Sequence, residues 1–389
     1  METQPTTPDE TPTKRGGSGT PATPQIERGA CAVLFAYDVG LAIDLDEAQR
    51  RITTDKQRGS LRHKRRTPYY FEYQPAPLRV SQTIEAVHVG GYVTDATIDA
   101  VVYDFGAVSV QYRIPLRGAM ANLRRLSDEL WDHPQLLEQS EAVVRALLES
   151  IAPAVTKPLV PDLVEDYSIY EIEALSDGLD IDTVIAKHGL QLAQILRAES
   201  AVLSAQEIED ALGCQISFAP DDRALIDWNA ALLFGTDLDD VRAVLEFANV
   251  ELLELRYLDD RLDEALDQAY ELSAKRGGVL GSFLGSKGTD LWQIAEFQMD
   301  STLLYEGVSN ALKLLGDQYL ARVHRLVSQR FHLVDWDTSI RRKLQTIESV
   351  YGKISDRNDN RRLEVLEWII IILIAVSIVM PFIPGVPGY

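Results

Sequence analysis

The C-terminal segment of the chain restricts the fold more than any other feature. Trp368 to Tyr389 contains no charged residue, and Trp368 to Ile383 reads WIIIILIAVSIVMPFI. A helix without a polar face has to be buried, either in a protein core or in a bilayer. Crossing a hydrocarbon core takes about 20 helical residues, a length reached by a helix that starts near Leu363. We therefore predict a membrane anchor over 363–389, with a buried C-terminal helix as the alternative.

The charges around this segment predict its orientation. Seven basic residues precede it between Arg341 and Arg362, and none follows it. By the positive-inside rule, the chain is expected to cross an inner or plasma membrane once and to leave its bulk in the cytoplasm. The side chains expected in the membrane are Trp368, Ile369, Ile370, Ile371, Ile372, Leu373, Ile374, Val376, Ile378, Val379 and Phe382.

Composition limits what the remaining residues can be. Residues 1–28 hold five Pro and seven Thr and read as a disordered leader without a secretory or transit signal. The 389 residues carry 59 acidic and 38 basic side chains, a net charge of −21, which argues against a surface that tracks nucleic acid throughout. Two cysteines, Cys31 and Cys214, are too few for a disulfide framework or a four-cysteine zinc site, so reduced, buried thiols are expected.

Residues 29–236 have the pattern of an α+β domain. Short β-branched or aromatic runs predict strands, and helical periods over Leu123–Ile151 and Ile181–Glu199 predict helices. No glycine-rich phosphate turn follows a strand, so we expect an α+β sandwich rather than a doubly wound nucleotide-binding sheet. The predicted strands are Cys31–Val39, Tyr69–Tyr73, Val87–Thr94, Ile98–Val102, Val108–Ile114, Tyr167–Ile172, Cys214–Phe218 and Ala224–Phe234.

Residues 237–362 have a helical period instead. Alternate steps of three and four residues from Leu238 to Ala269 meet nine apolar positions in ten, interrupted only by Asp259. Further helices are expected over about 290–331 and from Trp336, so we predict a stalk of long antiparallel coiled-coil-like helices that assembles a homo-oligomer. The predicted oligomerisation residues are Leu238, Val241, Leu245, Leu252, Leu255, Leu262, Leu266, Ile340, Leu344, Ile347, Tyr351 and Ile354.

One local run of charge opposes the acidic balance of the chain. Lys56 to Arg66 reads KQRGSLRHKRR and holds six Lys or Arg. It reads either as a solvated connection or as a contact to the phosphates of lipid or RNA. The candidate phosphate contacts are Lys56, Arg58, Arg62, Lys64, Arg65 and Arg66.

Motifs of catalysis and of cofactor binding are lacking. Gly281–Thr289 (GSFLGSKGT) has the wrong spacing for a phosphate-binding loop, and the six histidines show no metal-ligand spacing. No G-x-S-x-G nucleophile motif occurs. We therefore predict no catalytic, cofactor or metal residues and no small-molecule substrate.

The closing motif carries a family resemblance. The strand Cys31–Val39, the helical second half and the run Leu366–Val376 (LEWIIIILIAV) resemble the family "required for meiotic nuclear division", a domain of unknown function that includes bacterial YagE-like members. The resemblance spans roughly residue 30 to the end. It implies attachment to a membrane, homo-oligomers and a supporting role in translation, and it implies no catalytic residues.

The leading hypothesis is a non-enzymatic, tail-anchored oligomeric scaffold that presents its α+β half to a partner. The first alternative is an RNA- or ribosome-binding module that uses the basic run and the aromatic side chains near Tyr69. The second is an enzyme with an unrecognised pocket in the α+β half.

Overall fold

A computed structural model describes residues 24–56, 61–62, 76–159, 163–176, 180–274 and 318–350, with the isolated positions 299, 302, 352, 370 and 371. These residues form a mixed α+β fold around a large sheet, which confirms the predicted class. The strands are β1 (Gln25–Asp38), β2 (Gly40–Ile43), β3 (Leu61–Arg62), β4 (Leu78–Thr83), β5 (His88–Val89), β6 (Tyr92–Val93), β7 (Thr97–Val102), β8 (Ala107–Ala119), β9 (Val155–Pro158), β10 (Val164–Leu175), β11 (Gln215–Ile216), β12 (Arg223–Ile226) and β13 (Ala230–Phe234). The helices are α1 (Leu45–Lys56), α2 (Asn122–Leu130), α3 (Pro134–Ile151), α4 (Ile181–Arg197), α5 (Ala205–Gly213), α6 (Asp239–Ala274), α7 (Gln318–Arg330) and α8 (333–350).

The main sheet has nine strands in the order β11-β12-β13-β10-β1-β8-β7-β4-β3. Its centre is β1, which pairs antiparallel with β8 on one side and with β10 on the other. Only the β10–β13 pair is parallel among the strand pairs of this sheet. In this strand order, β13 lies six strand positions from the edge strand β3.

Helices cover both faces of the sheet. Alternate side chains of a strand point to opposite faces, and β1 shows the pattern clearly. Cys31, Val33 and Phe35 join a core with the helices α1 to α4, whereas Leu34 joins a second core with α6, α7 and α8. The described residues thus form three layers, with the sheet in the middle.

Most predicted elements of the α+β half are confirmed, and two are revised. The run Val87–Thr94 is a hairpin, because Gly90 and Gly91 adopt positive φ angles and turn the chain between β5 and β6. The run Ala224–Phe234 was wrongly predicted as one strand. It forms the two antiparallel strands β12 and β13, which the turn at 227–229 separates. The predicted strand Tyr69–Tyr73 lies outside the described residues.

The helix α6 buries most of the predicted oligomerisation seam within the chain itself. Val241, Leu245 and Leu255 are buried in the core that α6 shares with the sheet. Leu262, Ile340 and Ile347 are buried as well, and Leu238, Leu252, Leu266 and Leu344 are half-buried against the same core. Tyr351 and Ile354 lie outside the described residues. An amphipathic face that was expected to meet another chain is therefore covered by this chain's own sheet and helices.

Residues 318–350 run alongside α6 in the same direction. His324 lies 3.0 Å from Glu251 in the first part of this stretch, and Lys343 lies 2.7 Å from Asp263 further on. The predicted antiparallel arrangement is not seen between these described helices. Asp259, the acid that interrupts the seam, forms an ion pair with Lys343 at 2.8 Å and so links two helices of one chain.

Among the described residues, no helix has both the length and the apolar character needed to cross a membrane. The predicted anchor, 363–389, lies outside those residues apart from two positions. Ile370 and Ile371 are helical and remain 55% and 53% exposed.

Candidate functional site

Five parts of the fold surround one cleft with a volume of about 680 Å³. We call it the tryptophan cleft. This volume lies within the range of ordinary ligand pockets. The cleft is bounded by the ends of α2, α4 and α7, by α5 and by the turn between β12 and β13. Its lining residues are Asp128, Trp131, Arg197, Ala198, Glu199, Leu203, Glu207, Asp210, Trp228, Asn229, Arg330 and His332.

A fully buried carboxylate lies beside the cleft. Asp227 accepts hydrogen bonds from Arg330 Nε at 2.8 Å and from Arg197 Nε at 3.1 Å. Its backbone carbonyl accepts the Tyr167 hydroxyl at 2.8 Å. A buried charge is tolerated only when it is paired and hydrogen-bonded, and Asp227 meets both conditions. Asp227 therefore fixes two guanidinium groups that come from different halves of the chain.

A second layer of carboxylates holds the outer sides of the same guanidinium groups. Asp210 Oδ2 lies 2.5 Å from Arg197 Nη2 and 2.8 Å from Arg330 Nη2, and Glu207 also pairs with Arg197. The hydrogen bond from Arg330 lowers the pKa of Asp210 below its usual value. Because its pKa is lowered, Asp210 is a poor proton acceptor, and its position between two arginines suits binding better than general base catalysis.

The backbone is strained at two positions of the cleft lining. Ala198, which ends α4, has φ 48°, and His332, after α7, has φ 55°. Lys157 is the other described non-glycine residue with positive φ. Such conformations cost roughly 1–3 kcal/mol each and are concentrated at functional sites. Their presence on one cleft marks it as the best candidate site in the described part of the chain.

Two tryptophans stand exposed at the cleft. Trp131 follows α2 and is 58% exposed, and Trp228 lies in the β12–β13 turn and is 61% exposed. Large aromatic side chains are enriched at binding surfaces, where they supply much of the affinity. The cleft therefore combines apolar contact area with a dense set of charges.

A second group of polar side chains lies between α6 and the sheet. Glu246 accepts the Ser109 hydroxyl at 2.8 Å and Asn249 donates to the Glu165 carbonyl at 3.1 Å. Burial raises the pKa of Glu165 to about 7, although Arg256 pairs with it. Glu254 is 1% exposed, and neither of its carboxyl oxygens has a hydrogen-bond partner among the residues that the structure describes. Burial and then the nearby Asp38 raise the pKa of Glu254 well above the ordinary value.

Both cysteines are free thiols. Cys31 is buried in the central strand, and burial raises its pKa well above the ordinary value. Cys214 is half-buried, and burial raises its pKa to about 11. A thiol with a raised pKa is a poor nucleophile, so neither residue has the character of a reactive cysteine.

The structure describes few of the other predicted site residues. Lys56 ends α1, and Arg62 lies in β3 at the edge of the main sheet. Arg58, Lys64, Arg65 and Arg66 lie outside the described residues, as do the predicted membrane residues other than Ile370 and Ile371. No group of three or more His, Cys, Asp or Glu suited to a metal ion occurs in the described part of the chain.

Sequence reasoning missed the tryptophan cleft. Its charged residues come from positions as far apart as 128 and 330, so no local spacing relates them. The only local signal is Asp227-Trp228-Asn229, which interrupts an apolar run with turn-forming side chains.

The comparisons with known proteins each cover a little more than half of the chain. Residues 28–240 match the family model described as "Uncharacterized protein MJ0711, N-terminal domain". The uncharacterized protein MJ0711 of Methanocaldococcus jannaschii is 23% identical over 219 residues, which cover 56% of this chain and 66% of that relative. No solved structure matches the chain. None of these matches concerns the meiotic nuclear division family, so that resemblance stays a prediction. Because the family model covers more than half of the sequence, the chain belongs to the family of the MJ0711 N-terminal domain.

Proposed function

We propose that this protein is a non-enzymatic, tail-anchored scaffold that holds its α+β half at a membrane and presents it to a partner. The observation that carries the proposal is the uncharged apolar segment at the C-terminus, in which Ile370 and Ile371 are helical and more than half exposed. Transfer of such apolar side chains from water to an apolar environment is favourable, and a bilayer would bury them.

The tryptophan cleft supports the binding part of the proposal. It exposes two tryptophans and holds its carboxylates in ion pairs, an arrangement that suits recognition. In this proposal the cleft is the surface that meets the partner, while the helices α6, α7 and α8 connect the sheet to the anchor.

A truncation tests the anchor. A chain that ends at residue 362 should be extracted without detergent, whereas the full-length chain should need detergent, because the apolar segment accounts for its membrane affinity. A matched control replaces Ile371 and Leu373 with Ala, a residue of high helix propensity, which lowers the hydrophobicity of the segment. This control should weaken membrane retention without abolishing it. Equal extraction of the full-length and truncated chains would refute the anchor.

A second candidate function is RNA or ribosome binding through the basic run. The observation that favours it is the position of Arg62 in β3, the last strand of the main sheet on that side. Neutralising Arg62, Lys64, Arg65 and Arg66 should then reduce the RNA recovered after crosslinking and flatten the salt dependence of binding. Unchanged recovery would exclude this role for the run.

A further inference from the structure

The two tryptophans of the cleft point to a ligand with a positive charge. Trp131 and Trp228 are exposed by 58% and 61%, although tryptophan is among the most costly side chains to leave in water. The face of an indole ring attracts guanidinium and ammonium groups more strongly than any other aromatic side chain does. Two exposed indoles beside a cavity of about 680 Å³ therefore provide a place for cationic side chains.

The charges of the cleft favour the same kind of ligand. Its lining includes two arginines, Arg197 and Arg330, and both are bound by carboxylates. An anionic ligand would have to displace those carboxylates. Counted with the buried Asp227, the acids outnumber the arginines five to two, and they are Asp128, Glu199, Glu207, Asp210 and Asp227. The residual charge is negative and attracts a cation.

The chain itself contains a matching segment. Lys56 to Arg66 concentrates six Lys or Arg in a protein with a net charge of −21. We propose that this basic segment of one copy binds in the tryptophan cleft of a neighbouring copy, with its Arg and Lys side chains stacked on Trp131 and Trp228. The proposal deepens the scaffold function by naming the contact between its copies, and it does not depend on the anchor.

The segment cannot reach the cleft of its own chain. Arg62 lies in β3, six strand positions from β13, and Trp228 lies just before β13. At about 4.8 Å per strand the separation is roughly 29 Å. Lys56 ends α1, and Arg66, the last basic residue of the segment, is four residues from Arg62, which is at most about 14 Å of fully extended chain. The contact therefore joins two molecules.

The symmetry of such a contact follows from its two different surfaces. A basic segment on one copy and a cleft on the next make a head-to-tail interface, which leaves one unused segment and one unused cleft at the ends. Copies joined in this way form a ring or an open row, as suits a scaffold spread along a membrane. Because charge supplies the attraction, the assembly should weaken as salt is raised.

Two complementary variants test the interface on the full-length protein in mild detergent. The cleft variant carries W131A and W228A, and the segment variant carries R62Q, K64Q, R65Q and R66Q. Each alone should have a lower native mass than the wild-type protein. Mixed together, they should form pairs that grow no further, because one intact segment meets one intact cleft. A wild-type mass for either variant, or no association in the mixture, would overturn the proposal.

Peptide binding tests the same contact without relying on assembly. A synthetic peptide of residues 56–66 should bind the segment variant and change its tryptophan fluorescence. The W228A substitution in that variant should weaken binding about tenfold, the equivalent of about 1.4 kcal/mol for one cation–π contact. The matched control is E138Q with E149Q, two exposed acids on α3, which should leave binding unchanged. Equal affinity for a peptide with Gln in place of its basic residues would refute the role of charge.

Circular dichroism and thermal melting of every variant distinguish a lost contact from a lost fold. If the segment variant loses bound RNA while the cleft variant keeps the wild-type mass, the segment contacts nucleic acid and the proposal is wrong. Failure of the anchor would appear separately, as loss of membrane retention with the mixed pairs still formed.

Discussion

At the scale of single residues, Asp227 has the largest structural role in the cleft. It is fully buried and accepts hydrogen bonds from both Arg197 and Arg330. The substitution Asp227→Asn removes the charge that both arginines face. We expect the free energy of unfolding to fall by about 3 kcal/mol, the low end of the range for one partner of a buried ion pair, because both arginines keep Asp210.

Urea denaturation measures this loss. The control is Asp337→Asn, which breaks an exposed pair with Arg341 and should cost less than about 1 kcal/mol. Similar losses for the two variants would show that Asp227 does not hold the cleft together.

Glu254 should make stability depend on pH. Its pKa in the folded protein lies above the ordinary value because the side chain is buried near Asp38. Between the unfolded and the folded pKa the folded state holds more protons, so the free energy of unfolding falls as pH rises above the ordinary glutamate pKa. Glu165 acts in the same direction, since its pKa is raised to about 7.

The variant Glu254→Gln isolates the first of these two contributions. It should have a smaller loss of stability with rising pH than the wild-type protein, measured as urea midpoints across the acidic to neutral range. Glu264→Gln, at an exposed position of the same helix, should keep the wild-type slope. A wild-type slope in Glu254→Gln would show that this carboxyl group ionises freely.

Individual buried polar residues are the part of this protein that sequence reasoning predicts least well. Glu246, Asn249 and Glu254 belong to a helix whose apolar period is plain, and a polar residue within such a helix is normally assigned to solvent. Glu246 and Asn249 bond to Ser109 and Glu165, and Asp38 lies near Glu254; all three of these residues belong to distant strands. Only the fold brings these partners together.

At the scale of elements, α6 shows what a hydrophobic period does and does not determine. The spacing from Leu238 to Ala269 correctly predicted a long helix, and α6 is 36 residues long. The period does not reveal what covers the apolar face, because a sheet and a second helix both accept the same side chains. In this chain the sheet and the helices α7 and α8 cover it.

Substitutions on α6 distinguish packing within the chain from assembly between chains. Leu245 is fully buried, so Leu245→Ala should lower the free energy of unfolding by about 2–5 kcal/mol. The loss should be the same at different protein concentrations, since no second molecule is involved. Leu266→Ala, at a half-buried position, is the matched control and should cost less. A loss that grows on dilution would indicate a seam between molecules.

The strands were easier to predict where they are long and central. The pattern Cys31–Val39 corresponds to β1, and Val108–Ile114 corresponds to β8, both of which alternate between two buried faces. Short strands such as β2, β9 and β11 give only two to four residues of pattern, too few to separate from a loop. The turn inside Ala224–Phe234 was missed because apolar residues flank it on both sides.

At the scale of the whole molecule, the matched family domain ends before the helices that complete the core. The family model ends at residue 240, whereas α6 begins at Asp239 and covers one face of the sheet. A fragment of residues 1–240 would expose Leu34, Tyr167 and Ile169 to water and would lose Arg330 from the cleft. We expect this fragment to aggregate, and a chain of residues 1–362 to remain in solution, when both are measured by light scattering. A stable monomer of 1–240 would show that α6 is dispensable for the sheet.

Vesicle flotation tests the central claim, attachment of this chain to a membrane by its C-terminal segment, most directly. Full-length protein and the chain that ends at residue 362 are each mixed with lipid vesicles and centrifuged through a density gradient. The full-length protein should float with the vesicles and stay with them after high-salt and alkaline washes, because apolar burial and not charge holds it. The truncated chain should remain at the bottom. Full-length protein that stays at the bottom, or leaves the vesicles in high salt, would contradict the anchor.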